Sequence, residues 1–280
     1  MKAADRSWRH PRPVVVVAIL TAAAGFGAGM VTAAQFSTVD GAPAAAAPVA
    51  ATVTSTASPP ANPPVTAPVI DDSTATPSIA VAPAFDLGAR SIDDPASLWV
   101  VVNKRRPVDP RTWEPVRLQA VPGGSQMTPE AADALVAMRE AAAAAGASFS
   151  VGTAYRSHGY QAQLHADYVA QFGSERADTF SARAGYSEHQ TGLAADIYQS
   201  TQCRLKPCFG EEEAGRWVAE HAHEHGFIVR YPDGATDVTG YRYEPWHVRY
   251  VGVDLATHMH AQGLATMEEA FGLEAAPGYP

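Results

Sequence analysis

The composition of the chain changes near residue 85, and this change confines any compact domain to the C-terminal part. Residues 13–34 form an uncharged, largely apolar run, long enough to cross a bilayer as a helix of about 20 residues. Four basic residues come before this run: Lys2, Arg6, Arg9 and Arg12. Because basic flanks stay on the cytoplasmic side, residues 1–12 are expected to be cytoplasmic and the remainder exported. The run is either a transmembrane anchor or a cleaved signal peptide, and its length favours the anchor.

Residues 35–84 consist mainly of Ala, Pro, Thr, Ser and Val, with charge only at Asp40, Asp71 and Asp72. Such a segment cannot bury enough apolar surface to offset its chain entropy, so a disordered linker is expected. One domain is therefore predicted over residues 85–272, followed by a tail at 273–280. Its length of about 190 residues is enough for a core of its own.

The formal net charge of -9 argues against a nucleic-acid partner. A surface that binds phosphates should be basic, because neutralising the phosphates supplies most of the affinity. This excludes DNA- and RNA-binding classes of protein.

The two cysteines, Cys203 and Cys208, are separated by four residues. They could be free thiols or half of a four-cysteine zinc site. Since the N-terminus indicates export to an oxidising compartment, a disulfide that closes a small loop is the preferred interpretation.

Hydrophobic periodicity and turn residues predict an α+β domain with a mainly antiparallel sheet flanked by helices. Thr128 and Pro129 mark a helix start, with a capping hydroxyl and a proline at the first helical position. Residues 174–185 are expected to form a polar loop. The predicted strands cover residues 98–103, 149–155, 193–198, 227–231 and 246–251, and the predicted helices cover residues 128–146, 158–172, 211–225 and 255–271.

Four side chains near two of these strands could form a hydrolytic metal site at one edge of the sheet: His189, Asp196, Glu244 and His247. A catalytic zinc needs three protein ligands, an open position and a base that is not a ligand. Pro245 disfavours helical geometry before it, so the spacing of Glu244 and His247 is not that of a helical metal motif. Residue types alone leave a metal site and a set of ordinary polar residues both open.

Other constellations are weaker. His221 and His225 have the spacing of a ligand pair on a helix, but no third ligand is evident near them. We interpret them, together with His223, as a solvated face, and His258 and His260 likewise. A serine hydrolase is disfavoured because the nucleophile-elbow motif is absent.

Three spaced motifs nevertheless occur together and in order. The first is Tyr155-Arg156-Ser157 followed by Gln161, the second runs from Ser187 to Asp196 as S-x-H-x-x-G-x-A-x-D, and the third is Glu244-x-Trp246-His247. Over roughly residues 99–263 the chain resembles the D-alanyl-D-alanine carboxypeptidases of the VanY type, a zinc peptidase group that includes the hedgehog-like fold.

The resemblance implies one Zn²⁺ per domain, bound by His189, Asp196 and His247. It further implies that Glu244 is the base that deprotonates the zinc-bound water and then protonates the leaving amine. Arg156 would stabilise the oxyanion. The substrate-binding residues would be Tyr155, Gln161 and Ser187, with Ser187 near the terminal carboxylate of the substrate.

The chain departs from the family pattern at His158-Gly159, where an aromatic and an acid are expected, and in the loop between Cys203 and Cys208. These departures leave the implied chemistry intact and put the substrate preference in question. The resulting hypothesis is a monomeric D,D-carboxypeptidase that removes the terminal D-alanine from peptidoglycan stem peptides. It would be held at the cell membrane with its catalytic domain outside the cytoplasm, or secreted if the N-terminal segment is cleaved.

Two alternatives remain open. An L,D-carboxypeptidase or an endopeptidase acting on peptidoglycan peptides would use the same metal chemistry with a different pocket. A non-catalytic, zinc-stabilised wall-binding module would need neither Glu244 nor Arg156, and the presence of both argues against it.

Overall fold

The computed structural model describes residues 85–280 and shows an α+β domain built on a four-stranded antiparallel sheet. The strand order is β3-β4-β6-β5, and a separate two-stranded ribbon pairs β1 with β2. The strands are β1 (Gln119–Ala120), β2 (Gln126–Met127), β3 (Ser150–Thr153), β4 (Ala194–Tyr198), β5 (Phe227–Tyr231) and β6 (Glu244–Tyr250). The helices are α1 (Pro129–Ala144), α2 (His158–Phe172), α3 (Ser174–Asp178), α4 (Glu213–His221), α5 (Thr236–Thr239), α6 (Val253–Gln262) and α7 (Met267–Ala270).

The two strands that carry the predicted metal ligands lie in the middle of the sheet. β4 pairs with β6 in antiparallel register, and Asp196 stands directly opposite His247. Residues directly opposite each other point to the same face, with their Cβ atoms about 5 Å apart. The ligands were predicted at one edge of the sheet. This prediction is wrong, because β4 and β6 are each paired with a strand on both sides.

Helix α1 supplies much of the core on one side of the domain. It begins at Pro129, as predicted, although the hydroxyl of Thr128 makes no capping hydrogen bond. Leu135, Met138 and Ala142 of this helix are fully buried, which is the packed face that their spacing predicts.

The prediction of a strand at residues 98–103 is wrong. The segment is irregular but buried, and its backbone is satisfied by a side chain instead of by a neighbouring strand. The guanidinium of Arg249 donates to the carbonyl oxygens of Leu98 and Val100, each at 2.9 Å. The β-branched, apolar composition of this segment indicates that it is buried. Its conformation depends on the long-range contact with Arg249.

Three predicted segments are subdivided in the structure. Residues 174–185, predicted to be a loop, contain helix α3. The helix predicted at 211–225 is α4 followed by a 3₁₀ turn over Ala222–His225. The last predicted helix divides into α6 and α7, because Gly263 adopts a left-handed conformation that ends α6.

The predicted cytoplasmic N-terminus, membrane segment and linker, residues 1–84, lie outside the described residues. Between residues 85 and 280, no helix has both the length and the hydropathy that crossing a membrane would require.

Candidate metal centre and its cleft

Three secondary-structure elements bring the predicted metal ligands together. His189 lies on a 3₁₀ turn over Glu188–Thr191, while Asp196 and His247 lie on β4 and β6. Gly192 ends the turn with φ +71°, a left-handed conformation that leads the chain straight into β4. The spacing of the motif therefore corresponds to a turn at His189, a change of chain direction at Gly192 and a strand that carries Asp196.

The three side chains converge on one point. Oδ1 of Asp196 lies 3.3 Å from Nε2 of His189 and 3.3 Å from Nδ1 of His247. All three ligand atoms lie within 4.8 Å of one another, and all three residues are buried. Within residues 85–280 no other group of three or more His, Cys, Asp or Glu side chains is arranged in this way.

The donor set fits Zn²⁺. Nε2 of His189 is buried and has no hydrogen-bond partner, which is costly unless another group satisfies it. Two imidazole nitrogens and one carboxylate oxygen are a common ligand set for a catalytic zinc, and they leave a fourth position open. The structure thus brings together the three residues that the sequence singles out.

Both imidazoles are oriented by a contact on their other nitrogen. Nδ1 of His189 lies 2.6 Å from the carbonyl oxygen of Ala154, which can only accept a hydrogen bond. This contact fixes the proton on Nδ1 and leaves Nε2 free as an acceptor. Nε2 of His247 lies 3.4 Å from Oε2 of Glu188, so Nδ1 of His247 faces the metal position. Such outer contacts set the tautomer of a ligand.

Glu188 is itself held by two buried arginines. Its Oε1 accepts hydrogen bonds from Nε of Arg230 at 2.9 Å and from Nη1 of Arg249 at 2.8 Å. Arg230 also makes a bidentate pair with Glu268, which accepts a further bond from Asn103. Burial opposes ionisation of Glu188, but the two arginines and His247 hold its pKa far below its usual range.

The sequence motifs do not predict this network. Glu188 is part of the motif around His189, and Arg249 shares a strand face with His247. These two members of the network could therefore be identified from the sequence. Arg230 and Glu268 are distant in sequence, and only the tertiary structure brings them next to the metal centre.

Glu244 faces the same cleft as His247 although it lies three positions before it on β6. A regular strand would send them to opposite faces. The pairing of β5 with β6 is irregular here: Val229 is opposite Val248, whereas Tyr231 is opposite Glu244. The strand is irregular between the two residues, and both line the same cleft. Burial raises the pKa of Glu244 to about 8, although the positive charge of His247 opposes the shift.

The other pKa shifts follow the same geometry. Burial, together with the nearby Arg156, lowers the pKa of His189 to about 4. Burial would also lower the pKa of His247, but hydrogen bonds to Asp196 and Glu188 outweigh it and raise the pKa to about 9. A metal bound at Nδ1 of His247 would therefore replace a proton there. The pKa of Asp196 lies well below its ordinary value, because the two histidines outweigh its burial.

Arg156 points its guanidinium at the same centre. Its Nη1 lies 3.7 Å from Oδ2 of Asp196, and its Nε is buried without a hydrogen-bond partner. A positive charge with an unused donor beside the metal position is available for an anionic group of a ligand.

These groups lie in one cleft with a volume of about 280 Å³. Among the predicted residues, Arg156, Asp196, Glu244 and His247 line it. The predicted substrate-binding residues do not. Gln161 is buried and donates to the carbonyl oxygen of Ala182. Ser187 is buried next to the ligand turn, and Tyr155 is half-buried. Oε1 of Gln161 is buried without a hydrogen-bond partner among residues 85–280, and the substrate-binding roles of Gln161, Ser187 and Tyr155 stay predictions.

The predicted disulfide between Cys203 and Cys208 is present, with the Cα atoms 5.4 Å apart. The loop that it closes presents Leu205 to the cleft, with φ +55° and a partly exposed side chain. The departure from the family pattern therefore forms part of a cleft wall.

The histidines of the predicted solvated faces do not line this cleft: His221, His223, His225, His258 and His260. His221 and His223 are partly exposed, as expected for a solvated face, and His258 stacks on Phe85. His223 stacks on His260 with ring centroids 3.6 Å apart. No third ligand joins them within residues 85–280, so they do not form a second metal centre.

Comparison with known proteins gives a consistent result. The sequence profile of the VanY family, described as D-alanyl-D-alanine carboxypeptidase, matches residues 124–253. The protein YodJ of Bacillus subtilis (strain 168) is 37% identical over 195 residues, which cover 66% of this chain and 70% of YodJ.

Two solved structures have a similar fold. The LD-carboxypeptidase LdcB, a structure described in terms of peptidoglycan recognition, is 36% identical with a TM-score of 0.59, over 64% of this chain and 87% of LdcB. The vancomycin-resistance D,D-pentapeptidase VanY in complex with Zn(II) is 32% identical with a TM-score of 0.54, over 62% of this chain and 97% of that chain.

Proposed function

Because this chain belongs to the VanY family of D-alanyl-D-alanine carboxypeptidases and is a zinc metallopeptidase, we propose that it removes the C-terminal D-alanine from peptidoglycan stem peptides. The observation that carries the proposal is the convergence of His189, Asp196 and His247 beside Glu244 in an open cleft. A binding protein would need the ligands but not a buried carboxylate next to them.

Zinc fits between His189, Asp196 and His247, and a zinc ion bound there supplies Lewis acidity and lowers the pKa of water to about 7. The imidazoles are prepared for this role by Ala154 and Glu188, which fix the proton of each ring on the nitrogen that faces away from the centre.

Glu244 is the residue that moves protons. It is buried beside the metal position and is not one of the three ligands. A carboxylate placed there can take a proton from water and return it to a leaving amine. Glu244 lies on the irregular part of β6 and is within reach of a peptide bound in the cleft.

Arg156 stabilises negative charge. The free donor of its guanidinium is held near the metal position by Asp196. A preorganised donor of this kind stabilises the oxyanion that forms when a peptide carbonyl is attacked, and does so better than water because it needs no reorganisation.

The likeness to LdcB supports a second candidate, an L,D-carboxypeptidase that acts on a tetrapeptide stem. Both candidates use the same reacting groups. They differ in the stereochemistry of the residue before the scissile bond.

The deciding experiment is mass spectrometry of defined muropeptides after incubation with the purified full-length chain, with and without a chelator. Loss of one alanine from the pentapeptide, abolished by chelation and restored by zinc, is the expected result. Loss from the tetrapeptide alone would assign the L,D activity. No cleavage of either stem by zinc-loaded protein would favour a wall-binding module.

The location and assembly of the protein are further parts of the proposal. Residues 13–34 hold a monomeric catalytic domain at the outer face of the cytoplasmic membrane, or release it if they are cleaved. Protease accessibility of the domain in intact spheroplasts tests the orientation. The N-terminal sequence of the mature protein tests the cleavage, and light scattering of the purified chain tests the monomer.

A further inference from the structure

The cleft extends beyond the reacting groups, and its outer part has a composition of its own. One wall is aromatic and apolar, formed by Leu164, Tyr168, Phe172 and Phe180. The rings of Phe172 and Phe180 meet edge to face with centroids 5.8 Å apart. Leu205 and Trp246 also line the cleft. A single D-alanine needs none of this surface, so the outer part must serve a longer ligand.

Two guanidinium groups line this outer part. Arg176 lies over the ring of Phe172, with Cζ 5.1 Å from the ring centroid, and Arg242 lies over Phe180 at 4.9 Å. Stacking on a ring holds a guanidinium in place and leaves the N–H groups at its edge free to donate. The two contacts therefore present two preoriented donors at the same wall.

Neither guanidinium is paired with an acidic side chain between residues 85 and 280. Some other arginines of the domain are paired: Arg183 forms an ion pair with Asp178 at 2.7 Å, and Arg230 is paired with Glu268. Others, such as Arg204 and Arg216, have no acidic partner within 4.0 Å in the described part of the chain, but they do not line this cleft. The chain carries 29 acidic and 20 basic residues, so an acid beside each basic group would be easy to supply. Two stacked and unpaired guanidinium groups in one cleft point to an anionic ligand.

The direction of the substrate follows from exposure. The ligand turn with Ser187 and His189 is buried, whereas Arg176 and Arg242 are exposed at the mouth of the cleft. The terminal residue of a peptide can sit at the closed end. The residues before it must leave through the mouth, because they are joined to a polymer too large to enter.

We propose that Arg176 and Arg242 form a subsite for a carboxylate carried by a residue upstream of the scissile bond. This inference rests on the proposed function. The ligand class is a peptide that bears a free acidic group before its D-alanyl-D-alanine end, and the subsite makes the protein prefer it over a neutral peptide of the same shape.

The test uses two synthetic stem pentapeptides that share a free C-terminus. In one, the carboxylates of the residues before D-alanyl-D-alanine are free, and in the other they are converted to amides. Release of D-alanine gives kcat/KM for each peptide with the zinc-loaded full chain. The wild type is expected to prefer the free acid by about tenfold, as for a hydrogen bond between charged groups.

The double variant Arg176→Gln/Arg242→Gln is expected to bring this preference close to one, with the change mainly in KM. Arg216→Gln, an exposed arginine on α4 away from the cleft, is the matched control and should keep the tenfold preference. Zinc content and thermal unfolding of each variant verify that the domain is intact.

Equal cleavage of both peptides by the wild type would overturn the subsite and leave the proposed function standing. An equal loss on both peptides in the double variant would also overturn it, since the arginines would then serve the terminal carboxylate. If neither peptide were cleaved, the proposed function would be wrong. Calorimetric affinities of the same two peptides would then decide the subsite.

Discussion

Single residues divide the chemistry between them, and Glu244 has the most specific assignment. We expect Glu244→Gln to keep the bound zinc, because Glu244 is not one of the three converging ligands. The amide cannot take a proton, so kcat should fall by about 10²–10⁴-fold. Metal analysis beside D-alanine release measures both quantities, and near-normal turnover would contradict the assignment.

Glu188 acts through His247 and is a positioning residue. In Glu188→Gln, the single amide oxygen would still face Arg230 and Arg249, and the amide N–H would face Nε2 of His247. That arrangement favours the wrong tautomer of His247, with the proton on Nδ1 where the metal should bind. Zinc affinity should fall by about 10–100-fold, as is typical for outer contacts of a ligand. Chelator competition measures it.

Glu268→Gln is the control for this prediction. It disturbs the same buried network through Arg230 but does not touch His247. A loss of zinc affinity in Glu268→Gln as large as in Glu188→Gln would mean that general destabilisation, and not the tautomer, causes the effect.

At the scale of elements, the turn between His189 and Asp196 depends on Gly192. A Cβ at this position would lie 3.2 Å from side-chain atoms of Leu118 and Thr128, and the left-handed φ disfavours any L side chain. Gly192→Ala should cost about 1–2 kcal/mol from the backbone alone. Because the turn sets the distance between two ligands, zinc affinity should fall as well.

Urea unfolding and chelator competition on Gly192→Ala test both expectations. Gly124→Ala is a matched control, since Gly124 also has a positive φ but has open space around its Cβ position and lies away from the ligand turn. Similar zinc affinity in both variants would contradict a role for Gly192 in placing the ligands.

At the scale of the whole molecule, Glu268 ties α7 to β5 and to the metal centre. Burial opposes its ionisation, but Arg230 and Asn103 lower its pKa below the ordinary 4.5. A lowered folded pKa stabilises the fold above pH 4.5, and this contribution is lost as the pH falls through the folded value. Acid should therefore loosen the contact between α7 and β5.

The Glu268→Gln variant tests this coupling. Breaking a buried pair should cost about 3 kcal/mol at pH 7. The difference from the wild type should shrink as the pH falls below 4.5, because the unfolded wild type takes up a proton at Glu268 that the folded state resists. Unfolding free energies at pH 7 and pH 3 measure it, and a difference that stays constant with pH would contradict the proposed pairing.

Many secondary-structure elements of the domain can be predicted from local sequence patterns. The helix start at Pro129, the strand at 227–231 and the helix at 158–172 follow from turn residues and periodicity, and the structure confirms them. The metal ligands were also accessible, because two short motifs carry the ligands with the glycine and proline that shape the backbone around them. Such features can be predicted because they depend only on residues that are close together in the sequence.

The sequence therefore predicts the four strands of the main sheet and the reacting groups, but not the conformation of residues 98–103. How these parts meet depends on the tertiary structure. Glu244 lines the same cleft as His247 from an irregular part of β6, and the side chain of Arg249 takes the place of a strand partner for residues 98–103. Arg230 and Glu268 complete the support of the metal centre from distant parts of the chain. These contacts depend on long-range pairing and burial, which no window of local sequence contains.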